Sequence, residues 1–346
     1  MLTLGIESSC DETAICLIQG HKVIGECVVS SSDLHSKYGG VVPEIASRKH
    51  LESLLPALEE TLKQSKKKLK NIQLIAATQG PGLIGSLLIG LSSAKALALC
   101  TGTPLILVDH VEAHAYAAKL ENPSIKFPFM SLVVSGGHTL IFKVMSAQQM
   151  KVIGQTIDDA AGEAFDKVGN LLNLPYPGGP TIDKIAQGVD TKAWTFPRPK
   201  LKDKDFDFSF SGLKTSVYYQ VRDYTKNKKL TKATKAKIAS SFQEAACDCL
   251  VQKSIRAAKA NKINVITVGG GVSANSRLRQ RMIESAKAEG MRVYFPAMNY
   301  CVDNANMIAG LGQAIAKLQG KKALSKATQS KLFAQEPYPE YPHKTI

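Results

Sequence analysis

Met130-Ser-Leu-Val-Val-Ser-Gly-Gly-His-Thr-Leu-Ile-Phe-Lys-Val144 reads as an apolar strand, a tight glycine turn and a returning strand. Leu2-Thr-Leu-Gly-Ile-Glu-Ser-Ser-Cys-Asp-Glu-Thr-Ala-Ile-Cys-Leu-Ile18 has the same form near the other end of the chain. The agreement continues beyond each hairpin. In the first half a third strand at Lys22–Val29 leads to a helix from Glu44 to about Lys67, where Leu51, Leu54, Leu55, Leu58 and Leu62 recur at helical spacing. A buried strand at Leu74–Thr78, the glycine turn Gly80–Gly85, a helix at Ser86–Cys100 and a strand at Pro104–Val108 follow, running into a further helix. In the second half Lys151–Thr156 supplies the third strand, helices are expected at about Gly162–Leu172 and Thr234–Asn261, and Asn264–Val268 is a strand. Then come Gly269-Gly-Gly271, a helix at Ala274–Gly290, a strand at Arg292–Phe295 and a last helix from about Asp303 to Leu318.

Both halves therefore run three strands, helix, strand, glycine turn, helix, strand, helix, and self-similarity on this scale signals duplication of one α/β unit. The order is that of the duplicated ribonuclease-H-like arrangement shared by the actin, sugar kinase and heat-shock ATPase superfamily, which predicts a two-lobed α/β fold with a central cleft. The lobes are expected at 1–108 plus about 319–346 and at 109–318, with an insertion at about 184–233. A chain of 346 residues, 44% hydrophobic, is long enough for two such cores.

Composition narrows the class further. Seven cysteines, an odd number with no C-x-x-C pair, indicate buried thiols in a reducing compartment rather than a disulfide framework. The first strand begins at Leu2, with no basic or long apolar segment before it, and the apolar stretch Ile84–Leu99 is interrupted by Gly85, Ser86, Gly90, Ser92, Ser93 and Lys95, which reads as too polar to span a bilayer. A cytoplasmic enzyme with no membrane association is expected. The net charge of +15 fits a polyanionic partner such as nucleic acid, and fits a general lysine bias nearly as well. Lysines gather at Lys63–Lys70, Lys200–Lys204 and Lys226–Lys229.

Between the two halves, Asp109-His-Val-Glu-Ala-His114 brings two histidines four residues apart, about 40° from each other on a helix. Such a pair can bind a transition metal, or can simply be solvated. Glu112 stands two residues after His110, about 200° round the helix, so it does not take the place of the general base in H-E-x-x-H proteases. The corresponding position in the second half is Tyr300-Cys-Val-Asp-Asn-Ala-Asn306, where Asp303 is expected either as a helix cap alone or as a third metal ligand.

Three turns suit phosphate: Ser8–Glu12, Ser135–His138 and Gly269–Asn275, since glycine lets the backbone approach closely and helix-start amides donate. Asp159, Glu163 and Asp166 recur at spacings that share a helical face, with little neutralising charge apparent nearby. Tyr176–Asp183 reads as a stiff loop presenting backbone groups and one acid.

Gly5–Thr13, Thr78–Leu83, Asp109–His114, Val134–His138, Asp158–Lys167, Phe210–Lys214, Gly269–Asn275 and Asp303–Ala309, in that order over roughly residues 1 to 315, resemble the tRNA N6-adenosine threonylcarbamoyltransferase family in its bacterial branch. The resemblance implies transfer of a threonylcarbamoyl group from threonylcarbamoyl-adenylate to the exocyclic amine of the adenosine beside the anticodon, in tRNAs reading codons that begin with A. It implies one metal ion, iron or zinc, on His110, His114 and Asp303, with an adenine nucleotide alongside. Substrate contacts are implied for Val134, Ser135, Gly136, Gly137, His138, Asp166, Gly179, Asp183 and Asn275. A small non-catalytic paralogue, an ATPase partner and a separate adenylate-making enzyme are implied as partners, besides tRNA. Asp11 or Glu12 is expected to orient the leaving group or accept a proton. The competing expectations are an actin-like ATPase or sugar kinase, a metalloprotease, and a non-catalytic scaffold for nucleotide and tRNA.

Overall fold

The computed structural model describes residues 1–327 except 37, 39, 202 and 203; the tail beyond 327, singled out above as part of the first lobe, lies outside the described residues. In chain order the elements are β1 (Leu2–Glu7), β2 (Glu12–Gln19), β3 (Lys22–Ser30), α1 (Ser32–Ser36), α2 (Pro43–Ser65), β4 (Leu74–Gly80), α3 (Ile84–Thr101), β5 (Leu105–Asp109) and α4 (His110–Glu121). They continue with β6 (Phe129–Val134), β7 (Thr139–Ser146), β8 (Gln149–Gln155), α5 (Ala161–Leu171), α6 (Gly178–Ala186), α7 (Ser211–Thr225) and α8 (Lys232–Ala260). The last are β9 (Val265–Gly269), α9 (Ser276–Ala288), β10 (Arg292–Tyr294) and α10 (Ala305–Ala327).

The duplication is explicit in the sheets. One runs β3-β2-β1-β4-β5 and the other β8-β7-β6-β9-β10, so each strand has its counterpart. In both, the first strand pairs antiparallel with the second, Leu2 opposite Gln19 and Phe129 opposite Val144, and parallel with the fourth, Thr3 opposite Leu74 and Met130 opposite Ile266.

Among the described residues two compact units form around these sheets, one from Met1–Glu121 with residues 303–327, the other from Asn122–Val302. Their limits differ from the divisions expected after 108 and 318, because α4 and α10 both pack with the first sheet: α10 lies on β1, β2, β4 and β5 and against α4. Strand alternation explains this. Leu2, Leu4 and Ile6 of β1, with Ile15 and Leu17 of β2, join Leu54 and Leu58 of α2 and Leu87 and Leu91 of α3 in one core. On the opposite face, Ala14, Cys16 and Ile18 of β2 pack with Ala305 and Ala309 of α10. Thr3, Gly5 and Glu7 share that second face; the Thr3 hydroxyl donates to the Gln313 side chain of α10 (3.3 Å). A side chain at position 5 would drive into the Ala305 carbonyl and the Ala309 methyl, so the bare glycine is what lets α10 lie flat on β1.

Helix α3, with mean hydropathy 1.6, is by length and composition long and apolar enough to cross a bilayer, contrary to the expectation from its polar residues. Here it is a layer of the first unit, with Leu87, Leu91, Ala94 and Ala98 in the core.

The second unit wraps its sheet and α5, α6, α7 and α9 around α8, a 29-residue helix whose Phe242, Ala246 and Leu250 are buried. The expected insertion packs closely: Phe208 bridges to Thr156 beyond the end of β8, and the side chain of Lys253, wholly buried, reaches Asp205 (3.1 Å). Tyr176–Asp183 is a loop only as far as Pro177, where α6 begins. Pro180 sits in the first turn of that helix, where its missing N–H costs no hydrogen bond.

Candidate active site

The alternation that gives Gly5 to α10 also turns Glu7, at the end of β1, toward the second face of the sheet. Its carboxylate is fully buried and firmly held: one oxygen accepts from the Ser9 backbone N–H (2.6 Å), the other from the Thr78 hydroxyl. The same second oxygen lies 3.1 Å from Nδ1 of His110, which also meets the Ser9 hydroxyl at 3.2 Å. Asp109 starts α4 by accepting from the backbone N–H groups of Val111 (2.8 Å) and Glu112 (2.9 Å). One turn on, His114 stands edge-on to His110, ring centroids 4.7 Å apart. Asp303, just before α10, brings Oδ1 to 3.0 Å from Nε2 of His114 and 3.4 Å from Nε2 of His110. The cap of α10 is supplied by Asn304, which accepts from the Met307 N–H (3.0 Å), so Asp303 is not spent on capping.

The two imidazoles and the carboxylate offer ligand atoms within 4.8 Å of one another, the only such three-residue group found among the described residues. They fit a transition metal on three counts. The donors are nitrogen and carboxylate oxygen, suited to zinc or iron. Glu7 behind His110 is the carboxylate that orients a ligating imidazole. Nε2 of both imidazoles converges on one Asp303 oxygen, at 3.0 and 3.4 Å. Electrostatics agree: burial opposes charge on His110, yet the Glu7 and Asp303 carboxylates overcome it and raise its pKa well above the ordinary value. Burial likewise works against Asp303, and the two histidines outweigh it, holding its carboxyl below the usual range. The point between these groups demands positive charge, which a proton or a divalent cation satisfies. Glu112 stands outside the group, as its helical position requires; burial, with Asp109 nearby, pushes its carboxyl up to about 7.

Replacing Glu7 tests the supporting carboxylate. Glu7→Gln is expected to weaken zinc binding about 10- to 100-fold while the fold persists, read by competition titration with a chromogenic chelator. Unchanged affinity would show that Glu7 is a filler.

Asp11 and Glu12, the expected proton-handling pair, follow at the end of the β1–β2 turn and the first position of β2. Glu12 accepts from the Ser30 hydroxyl (3.2 Å). Burial, then the Asp303 and Asp11 carboxylates, push its carboxyl up to about 9.

In the second unit the expected substrate residues form a belt of hydrogen bonds. The turn from Val134 through Ser135, Gly136, Gly137 and His138 joins β6 to β7, the Ser135 hydroxyl accepting from the His138 N–H (3.1 Å) and the Ser135 carbonyl from the N–H of Gly162 at the start of α5 (3.2 Å). Asp166 of α5 accepts from the backbone N–H groups of Gly178 (2.8 Å) and Gly179 (3.3 Å), tying α5 to α6, and burial raises its pKa. Asp183 of α6 accepts from the Ser276 N–H (3.0 Å) and hydroxyl (2.7 Å) at the start of α9. Asn275 caps α9 through the Leu278 N–H (2.9 Å) and donates to Gln243 of α8 (2.8 Å). Gly270, at φ +84°, tucks against the Val134 carbonyl where a side chain would collide.

The three acids expected on one helical face are not so arranged. Asp159 lies before α5 and is paired with Lys214 and Lys167, and Lys167 also pairs with Glu163 (2.7 Å), so these two acids are neutralised by lysines distant in sequence or one turn away, while Asp166 is held by backbone N–H groups. Sequence reasoning passed over Glu7, although an acid closing an apolar strand was a usable signal. It also passed over Ser276 and over Asp158, which accepts from the N–H of Phe210 (2.7 Å) to start α7.

Fold and site together define a duplicated actin-like α/β protein whose metal-capable group carries imidazole nitrogen, in contrast to the all-oxygen ligation of magnesium-dependent phosphoryl transfer. A family model described as TsaD, tRNA N6-adenosine threonylcarbamoyltransferase, matches residues 22–310. The chain belongs to that family, and it is a transferase that carries out threonylcarbamoyl modification of tRNA adenosine. A relative of that name from Thermosipho melanesiensis is 49% identical, over 90% of this chain and 94% of its own. One from Protochlamydia amoebophila is 47% identical, over 93% and 94%. Among solved structures, full-length HypF in its phosphate- and nucleotide-bound form superposes with a TM-score of 0.63 at 15% identity, covering 93% of this chain and 47% of that one. Component A of the Acidaminococcus fermentans (R)-2-hydroxyglutaryl-CoA dehydratase gives 0.51 at 14%, covering 91% and 100%. These two share the fold.

Proposed function

We propose that the donor is threonylcarbamoyl-adenylate and the acceptor the exocyclic N6 amine of the adenosine beside the anticodon, in tRNAs reading codons that begin with A. The observation that carries this reading is the His110, His114 and Asp303 group with Glu7 behind it. Those three residues would hold one iron or zinc ion, which supplies Lewis-acid anchoring of the threonyl moiety when bound. The aryl amine is a weak nucleophile, but a mixed anhydride is already activated, so the protein has only to position the partners and stabilise developing charge. The amine nitrogen bonds to the carbamoyl carbon, the carbon–oxygen bond to the phosphate breaks, and AMP leaves with the electron pair. The amine's proton passes to an acceptor, and Asp11 or Glu12 is assigned to accept it or to orient the leaving phosphate.

In the second unit, the turn from Val134 to His138, the N–H of Gly179 and the belt through Asp166, Asp183 and Asn275 are assigned to the adenylate. Asp166, Asp183 and Asn275 act by fixing the helix starts that surround it. A metalloprotease reading is disfavoured because Glu112 stands outside the metal-capable group, and a kinase reading because imidazole is not a magnesium ligand of choice. The partners assigned are a small non-catalytic paralogue, an ATPase and a separate adenylate-making enzyme, in the cytoplasm. Exposed Leu51 and Leu55 on α2 with Ile84, Leu88 and Leu99 on α3 support a protein partner on the first unit.

The test supplies purified, metal-loaded chain and its partners with threonylcarbamoyl-adenylate and unmodified tRNA, then quantifies AMP and modified nucleoside by mass spectrometry. One AMP per modified adenosine is expected. Modified nucleoside persisting in cells depleted of the chain would refute the assignment.

A further inference from the structure

The lysines at 226–229 are not used by the chemistry above, yet the structure sets them in a defined surface. Helix α7 is rooted at its start: Asp158 accepts from the N–H groups of Phe210 and Ser211, and Lys214 pairs with Asp159. Its 15 residues carry the chain about 22 Å, at 1.5 Å per residue, away from that root. At the far end and on into the first turns of α8 stand Arg222, Lys226, Lys228, Lys229, Lys232, Lys235 and Lys237, against Asp223 as the single acid from 218 to 237. Arg222 and Lys226 share Asp223 (3.2 and 2.9 Å), which leaves the region strongly positive.

Aromatic rings lie among these charges. Tyr218 and Tyr219 are 45% and 49% exposed, their ring centroids 5.4 Å apart at 61°. The Arg222 guanidinium lies over the Tyr219 ring (4.8 Å) and Lys228 over that of Tyr224 (5.6 Å). The α7 core contacts come instead from Leu213, Val217 and Val221, so the tyrosines are not needed to hold the helix. Cations alone would suit any polyanion. Exposed aromatic faces held among cations suit a polyanion that carries bases, because lysines take phosphates and rings stack on unpaired bases.

We propose that the distal end of α7 and the start of α8 form a docking surface for the tRNA substrate, engaging phosphates and unstacked bases. The proposal rests on the function assigned above.

Three variants of the full metal-loaded chain test it by fluorescence anisotropy with unmodified tRNA across a salt series. The triple variant Lys228→Ala/Lys229→Ala/Lys232→Ala is expected to bind about tenfold more weakly, with a salt slope smaller by about 2 to 3. Tyr218→Ala/Tyr219→Ala is expected to lose at least about fivefold with its salt slope intact, since stacking releases no counterions. Lys63→Ala/Lys68→Ala/Lys70→Ala removes equal charge from the first unit and is expected to change affinity by less than about threefold. Steady-state transfer would show a raised KM for tRNA with kcat and the KM for the adenylate unchanged. Equal weakening by both lysine triples, unchanged tRNA affinity in the α7 variants, or loss confined to another polyanion overturns the proposal. If the parent binds tRNA but transfers nothing from the adenylate, the assigned reaction fails, and the surface stands or falls on the binding data alone.

Discussion

His110→Ala is expected to abolish metal binding and to lower single-turnover threonylcarbamoyl transfer by about a thousandfold or more. That is the rate equivalent of the several kcal/mol a Lewis acid contributes to charge stabilisation, at tenfold per 1.36 kcal/mol. His114→Ala and Asp303→Ala are expected to match it, since each removes one donor from a group whose ligand atoms lie within 4.8 Å. Groups that act as a unit are non-additive, so the His110→Ala/His114→Ala pair should be scarcely worse than either single change. Metal content by mass spectrometry and tRNA affinity by anisotropy accompany the kinetics. Retained tRNA affinity with lost metal and lost transfer is the expected pattern. Undiminished transfer by a metal-free His110→Ala protein would end the Lewis-acid reading.

Gly5→Val is expected to be the most damaging single change to the first unit. The new side chain would meet the Ala305 carbonyl, a backbone atom with no rotamer to retreat into, and the Ala309 methyl at 2.9 Å. Overpacking of this kind costs about 3 kcal/mol or more, a large share of a typical stability margin. Urea denaturation should show a lowered midpoint, and hydrogen exchange should report lost protection in β1, β2 and α10. Gly271→Ala, which faces open space, is the control and should move the midpoint little. An unshifted midpoint for Gly5→Val would mean that α10 does not lie on β1 as described.

Most of the architecture could be read from the chain because the duplication repeats a hydrophobic pattern of period two followed by helical spacing, and each half corroborates the other. The histidine pair was legible for the same reason: its spacing fixes its face. What escaped reading depended on contacts between distant residues. Glu7 looks like the polar end of a strand until Thr78 and His110, 71 and 103 residues away, close around it. Asp159 reads as part of an acidic helix face until Lys214, from the insertion, is set against it. Helix α6 was hidden because Gly178-Gly-Pro180 opens it, and those residues signal a loop in isolation. The place of α10 was not legible because sequence order joins it to the half it follows, whereas the face of β1 carrying Thr3 and Gly5 receives it.

That last arrangement bears on how the protein comes into being. Ribosomes deliver β1 first and α10 nearly last, so the face of β1 and β2 that α10 covers waits, uncovered, while the whole of the second unit is made. His110 and His114 wait with it for Asp303. The metal-capable group is therefore completed by nearly the last described segment to be synthesised, and a nascent chain stalled anywhere before that residue carries both histidines but not the carboxylate that stands against them.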